Sequence, residues 1–210
     1  MSEMTLTQPA HAGAAHEAHG PSRAQVQNSK LAMWLYLASE VIIFTVLIAA
    51  YAVFRFNNPD IVKGIHEELG ILLVTFNTFL LLASSWAMVM GLREAQRDNP
   101  QGLVRWITLT ALMGAAFVTL QVVEYNELAH LGVTLQDTEA FGGFGMRFYA
   151  PTAFHGVHVI VGVLWALRVI ARGRRGIYNR HNYLAVEIFG LYWHFVDIVW
   201  IFLFTIIYLI

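Results

Sequence analysis

The sequence contains no cysteine, which excludes disulfides, iron–sulfur clusters, thiolate-bridged copper and cysteine nucleophiles. Charge is also scarce: 13% of residues are charged, against about 25% in an ordinary soluble domain. The 13 Lys+Arg and 14 Asp+Glu nearly cancel to a net charge of −1, so no long-range field exists to attract nucleic acid or an acidic substrate. There is no phosphate-binding loop, nucleophile elbow or dinucleotide fingerprint, so soluble-enzyme chemistry has no foothold and no residue takes a catalytic role. Internal repeats are absent too, which leaves the inverted-repeat architecture of secondary transporters without support.

What is present in excess is apolar sequence. Hydrophobic residues make up 57% of the chain, and the polar ones are bunched between long apolar runs instead of being spread to cover a globule. A bilayer core is crossed by about 20 mostly apolar helical residues, and five stretches reach that length, at about 31–54, 68–92, 103–126, 147–171 and 183–210. The expected fold is therefore all-α, a bundle of five transmembrane helices. Breaker-rich connectors separate the spans: Asn57-Asn58-Pro59-Asp60, Asp98-Asn99-Pro100, Phe141-Gly142-Gly143-Phe144-Gly145 and Arg172-Gly173-Arg174-Arg175-Gly176. Residues 1–30, with His11, His16 and His19 among Ala, Gly, Ser and Pro, hold too few large apolar side chains to bury a core and are expected to form a mobile cytoplasmic tail. No apolar run begins before Leu31, so a cleaved signal peptide is not expected.

Orientation follows from Lys and Arg near the span ends, which are retained on the cytoplasmic side. Arg23, Lys30, Arg93, Arg97, Arg105, Arg168, Arg172, Arg174, Arg175 and Arg180 fall on one side, and Arg55, Lys63 and Arg147 on the other. The expectation is an N-terminus inside and, after five spans, a C-terminus outside.

Several ionisable residues fall inside the spans, where a charged side chain costs roughly 2.5–3.5 kcal/mol on insertion scales unless it faces protein or water, is partnered or is neutralised. Glu40 stands near the middle of the first span, with no cation within a turn on its own helix. Glu124 comes late in the third span, and Glu187 early in the fifth. His155 and His158 share a face of the fourth by their spacing, as His194 and Asp197 do in the fifth. Such a set serves either a proton path or interhelical pairing. For His194 with Asp197, and for His155 and His158 beside Gly156 and Gly162, structural pairing is the expectation, with Glu124 placed alongside them. Glu40 is the candidate functional carboxylate. Glu127-Leu128-Ala129-His130 has the Glu-x-x-His spacing of a di-iron bundle, but that site requires two such motifs and the sequence holds one; no metal site is expected. Trp34, Tyr36, Trp106, Tyr192 and Trp193 lie toward span ends and are expected to act as interfacial anchors. Arg172, Arg174 and Arg175 either grip an anionic lipid head group or simply set topology.

Four runs together resemble subunit III of haem-copper oxidases: Ser39-Glu40-Val41, Gln121-Val122-Val123-Glu124-Tyr125, Thr152-Ala153-Phe154-His155-Gly156-Val157-His158, and Tyr192-Trp193-His194-Phe195-Val196-Asp197-Ile198-Val199-Trp200. The resemblance runs from about residue 31 to the end and follows the family's order, in the manner of shorter bacterial forms that lack the first two of seven helices. It implies a subunit of a cytochrome c or quinol oxidase in the bacterial cytoplasmic membrane. Such a subunit carries no haem or copper of its own and is bound to subunit I and subunit II, which hold those cofactors. By that resemblance an oxygen-reducing core would need about six intramembrane histidines as haem and copper ligands, and only His155, His158 and His194 fall within the spans. The resemblance further implies that Glu40 matches a buried, carbodiimide-reactive acid near bound phospholipid, that Arg172 and Arg175 contact lipid phosphate, and that the subunit protects the oxidase from inactivation during turnover and supports proton uptake. A free-standing small transporter or proton channel using Glu40, His194 and Asp197 is the alternative from a different class.

Overall fold

The computed structural model describes residues 22–68, 70–134 and 142–210. His11, His16 and His19 of the expected tail lie outside them. Helix α1, Arg23–Asn57, begins before the apolar run at Leu31 because Ser22 builds a capping box. The Ser22 hydroxyl accepts from the Gln25 backbone N–H at 3.2 Å, and the Gln25 side chain accepts from the Ser22 N–H at 2.9 Å. Two orphan donors are thus satisfied reciprocally, and residues 23–30 are helix where a tail was expected. The Asn-Asn-Pro-Asp connector behaves differently from a simple breaker. Pro59 opens a short helix, α2 (Pro59–Glu68), since the first helical position needs no N–H and suits a fixed φ. Val62 and Ile65 of α2 are buried.

Helix α3 spans Ile71–Gln96, α4 Pro100–His130, α5 Phe144–Arg174 and α6 Leu184–Phe204, and a π-helical turn at Thr205–Leu209 extends α6. The Asn99 side chain caps α4 by accepting from the Gly102 N–H at 3.0 Å, again with proline in first position. Pro151 lies inside α5 and gives up one intrahelical hydrogen bond there. Among the described residues, five helices are long and apolar enough to cross a membrane, α1 and α3 to α6, the last with its π-turn. No strand occurs among the described residues.

Helix α6 is the hub. It packs against α3, α5 and α1, while α4 packs closely along α3 and along α5 behind it. Antiparallel register between α3 and α6 is fixed by two indole hydrogen bonds, Trp193 Nε1–H to Ser84 Oγ at 2.9 Å and Trp200 Nε1–H to Thr78 Oγ1 at 3.0 Å. Two ties hold the basic end. Lys30 Nζ of α1 meets Glu187 Oε1 of α6 at 2.6 Å, and the Arg180 backbone N–H donates to Asp98 at 2.7 Å. At the opposite end the Arg55 guanidinium donates to the Ile206 and Ile210 carbonyls.

Glycines set the helix spacing around Trp193. A Cβ added at Gly114 of α4 would sit 2.6 Å from the Trp193 ring, and one added at Gly162 of α5 would meet the same ring at 2.6 Å. The indole is wedged between two backbones and hydrogen-bonded to a third helix. Trp193 and Tyr192 are accordingly buried, which corrects the expectation that they anchor the bundle at the membrane interface; Trp34 and Tyr36 remain exposed. Gly114→Ala and Gly162→Ala are each expected to destabilise the detergent-solubilised bundle by about 1–3 kcal/mol through overpacking. Gly64→Ala, where nothing lies within 4 Å, serves as a control that keeps its stability. Thermal melting followed by circular dichroism reads this out, and equal midpoints for all three variants would remove Trp193 from its spacing role.

Candidate functional site

Glu40 is near the middle of α1, and α1 lies against α5 and α6. Its Oε2 reaches within 3.3 Å of His158 Nε2 on α5, with side-chain exposures of 12% and 9% for the carboxylate and the imidazole. The carboxyl group, which has no cation within a turn on its own helix, thus lies against an imidazole of another helix, although Oε2 makes no hydrogen bond of normal geometry there. His158 Nδ1 lies 2.8 Å from the Phe154 carbonyl one turn earlier. A carbonyl can only accept, so Nδ1 carries a proton and Nε2 is the nitrogen turned to Glu40. The contact is favourable when one proton lies between the two groups, as a carboxylic acid donating to neutral imidazole or as imidazolium donating to carboxylate. Both arrangements are neutral as a pair, which suits an apolar site.

Aromatic rings wall this pair. Phe44 and Phe154 meet the His158 ring at centroid distances of 5.3 and 4.7 Å, and Tyr192 lies nearly parallel to it at 6.4 Å. The Tyr192 hydroxyl donates to the His158 carbonyl at 2.9 Å. Tyr36, one turn before Glu40, lies within its electrostatic reach.

His155 shares a helix face with His158 but not its chemistry. It is fully buried, neither ring nitrogen makes a hydrogen bond among the described residues, and the ring stacks on Trp200 at 5.0 Å and meets Phe117 edge-on at 5.7 Å. His194 and Asp197 do not bond to each other. His194 Nδ1 pairs with Ser85 Oγ of α3 at 2.5 Å, and Asp197 has the same Ser85 as its neighbour, although neither carboxylate oxygen receives a hydrogen bond of normal geometry. Glu124 Oε1 accepts from the Tyr208 hydroxyl at 2.7 Å. Nearby, the Tyr125 hydroxyl donates to Thr152 Oγ1 at 2.8 Å, and Gln121 Nε2 donates to the Thr152 carbonyl at 3.2 Å. Ser84, Ser85, Thr78 and Thr152 thus carry much of the polar pairing. Isolated hydroxyls in apolar runs gave no signal in the sequence, apart from the antiparallel neighbours that α3 and α6 would make of them.

At the basic end, Arg172 places its guanidinium 5.9 Å over the Tyr178 ring, while Arg174 and Arg175 are exposed at the end of α5. Burial pushes the Tyr178 phenol up from its ordinary value, opposed by the charges of Arg172 and Arg168. Beside them a groove between α4 and α5 is lined by Pro100, Gln101, Val104, Arg105, Gly173 and Arg174. Gly173 keeps it open, since a Cβ there would meet Val104 at 3.1 Å. Glu127 and His130 are exposed at the end of α4. Among the described residues no group of three or more His, Cys, Asp or Glu side chains is gathered as a metal site would require.

The family model described as cytochrome c oxidase subunit III matches residues 12–210. Cytochrome c oxidase subunit 3 of Thermostichus vulcanus is 36% identical over 195 residues, covering 86% of this chain and 86% of its own. The corresponding protein of Synechocystis is 37% identical over 199 residues, covering 94% and 81%. Quinol oxidase subunit 3 of Bacillus spizizenii is 31% identical over 202 residues, covering 92% and 96%. Five helices able to cross a membrane, arranged around the polar pairs that the four sequence runs provide, fit these matches along the whole described chain. This multi-pass membrane protein therefore belongs to the cytochrome c oxidase subunit III family, whose members serve cytochrome c and quinol oxidases.

Proposed function

We propose that the chain is the accessory, cofactor-free subunit III of a proton-pumping haem-copper terminal oxidase, bound to subunits I and II, which hold the haem and copper. It sits in a bacterial cytoplasmic membrane with its basic end inside, in accord with the distribution of Lys and Arg. Cytochrome c is the favoured electron donor of the complex, because relatives named for cytochrome c oxidases reach 37% identity and those named for quinol oxidases 31%. Its role is to stabilise subunit I during turnover and to support proton uptake. The observation that carries this role is the Glu40–His158 contact, a carboxyl group and an imidazole 3.3 Å apart in an aromatic pocket inside the membrane. Intramembrane ionisable groups of this kind are retained for function more often than for packing. Anionic phospholipid is the second ligand. Arg172 and Arg175 at the basic end take its phosphate, and the adjoining groove with Arg105 and Arg174 gives the head group room.

Gentle extraction of native membrane and pull-down through this chain is expected to bring down a large, haem-bearing partner visible in a reduced-minus-oxidised spectrum. A chain recovered alone and colourless would put the transporter alternative first. Glu40→Gln is expected to leave assembly intact, since the amide still reaches His158, while cutting several-fold the number of turnovers before the oxidase inactivates. His158→Phe should have the same effect, and the double variant should be no worse than either single one, as members of one unit behave. Additive losses, or an unchanged lifetime, would return the pair to a packing role. Changing Arg172 and Arg175 together to Gln should lower the phospholipid that copurifies with the complex, and an unchanged lipid content would leave them as topology signals alone.

A further inference from the structure

The helices around α6 do not close. Helices α1 and α3 both pack on α6 but not along one another, so a strip of α6 between them stays uncovered. Ile198, Ile201 and Phe202 on that strip are 53%, 42% and 58% exposed. Leu191 and His194 continue the strip toward the basic end and are partly exposed; the spacing 191, 194, 198, 202 is that of one helix face. Apolar exposure alone would suit lipid. His194 does not.

His194 is ten residues into α6, roughly 15 Å from its start at 1.5 Å per residue, and so about halfway through the hydrocarbon core. Its Nδ1 is taken by Ser85 Oγ at 2.5 Å, and its Nε2 has no partner among the described residues. Whichever tautomer the ring adopts, Nε2 is left as a donor or an acceptor. Acyl chains can do neither, and an unmet polar group in hydrocarbon is costly. Behind His194 the same Ser85 neighbours Asp197, whose oxygens receive no hydrogen bond of normal geometry. Ser85 thus stands between His194, which it bonds, and Asp197, which lies beside it inside the bundle.

We infer that the gap between α1 and α3 is the seat of a transmembrane helix from another subunit of the complex, packed on Leu191, Ile198 and Phe202, with a hydrogen-bonding side chain at mid-membrane depth that meets His194 Nε2. This rests on the oxidase-subunit reading above and adds to it which face of the bundle is the interface and what chemistry the partner brings. The polar group favours protein over lipid as the occupant, because association between helices in a membrane draws on close packing and interhelical hydrogen bonds.

The test places a photo-crosslinking amino acid, p-benzoylphenylalanine, at Ile198 or, as the control, at Leu112, which is 63% exposed on α4, in cells that assemble the complex. Irradiation of the Ile198 variant is expected to join this chain to the haem-bearing partner, and the Leu112 variant is expected to give no such product. In a second measurement, His194→Leu should lower several-fold the haem partner retained through detergent extraction, and His194→Gln, which keeps a hydrogen-bonding group, should restore it. Four outcomes overturn the inference: crosslinks to the partner from Leu112 and not from Ile198, a crosslink from Ile198 to a second copy of this chain, a crosslink from Ile198 to lipid alone while the haem partner copurifies, or full retention of the partner by His194→Leu. Absence of any haem partner from the unmodified chain would instead sink the oxidase-subunit reading itself, so the two failures are told apart by the wild-type pull-down.

Discussion

Trp193 pushes its indole between Gly114 of α4 and Gly162 of α5 while donating its Nε1–H to Ser84 of α3, and this one wedge sets the distances among four helices. Inside a bilayer the helices gain little from burying apolar surface against one another, since lipid is as apolar as leucine. Shape and hydrogen bonding must supply the specificity. A large ring that fits only where two backbones lack a Cβ provides the shape, and a hydroxyl that accepts the indole proton provides the direction. Trp200 repeats the device seven residues later with Thr78, Phe117 and His155, so α6 is held at two levels and cannot rotate or slide against α3 without losing both.

With α6 fixed, the remaining polar groups follow from where the wedge leaves α5. Gly162 faces Trp193 and Tyr192, and one turn earlier His158 is turned away from the wedge toward α1, where Glu40 meets it. Helix α1 is the least enclosed of the five spans, and α6 with its π-turn the most enclosed. It is held by the Glu40–His158 contact at mid-depth, by Lys30 with Glu187 at one end and by Arg55 on the C-terminal carbonyls at the other. A buried ionisable pair is weak evidence for stability, and a helix with so little packing needs its register specified. The Glu40–His158 contact therefore bears on the register of the outermost helix of the bundle.

The five spans were legible because length and apolarity are local properties that the bilayer selects directly. The connectors were less so. Asn58-Pro59 read as a break, yet proline is at home in a helix's first position, and α2 starts there. Ser22 and Gln25 build a capping box that composition does not reveal. At the polar sites, the residues that mattered were visible one by one, but their partners were not. Glu40 lies against His158 of α5, and His194 bonds to Ser85 instead of to Asp197. Same-face spacing on one helix says which residues point one way, not what they find there. Tyr192 and Trp193 are buried for a related reason: aromatic rings fit an interface or a glycine-lined slot equally well by type, and Gly114 and Gly162, on two other helices, decide for the slot.

A bundle built this way has an inside and an unfinished outside. Where α3, α4 and α5 enclose α6, Trp193 is matched with Ser84, Trp200 with Thr78, Tyr208 with Glu124 and Tyr125 with Thr152, while His155 and the Asp197 carboxylate make no hydrogen bond among the described residues. Where α1 and α3 part, His194 Nδ1 meets Ser85 while its Nε2 has no partner among the described residues and faces the gap. A helix bundle selected to live alone in lipid would gain by replacing such a histidine with an apolar residue, because the hydrogen bond to Ser85 does not offset an unmet polar atom in hydrocarbon. Keeping it is advantageous when another chain completes the pairing, and then the cost of the unpartnered nitrogen falls on the unassembled subunit alone, penalising the free chain relative to the complex.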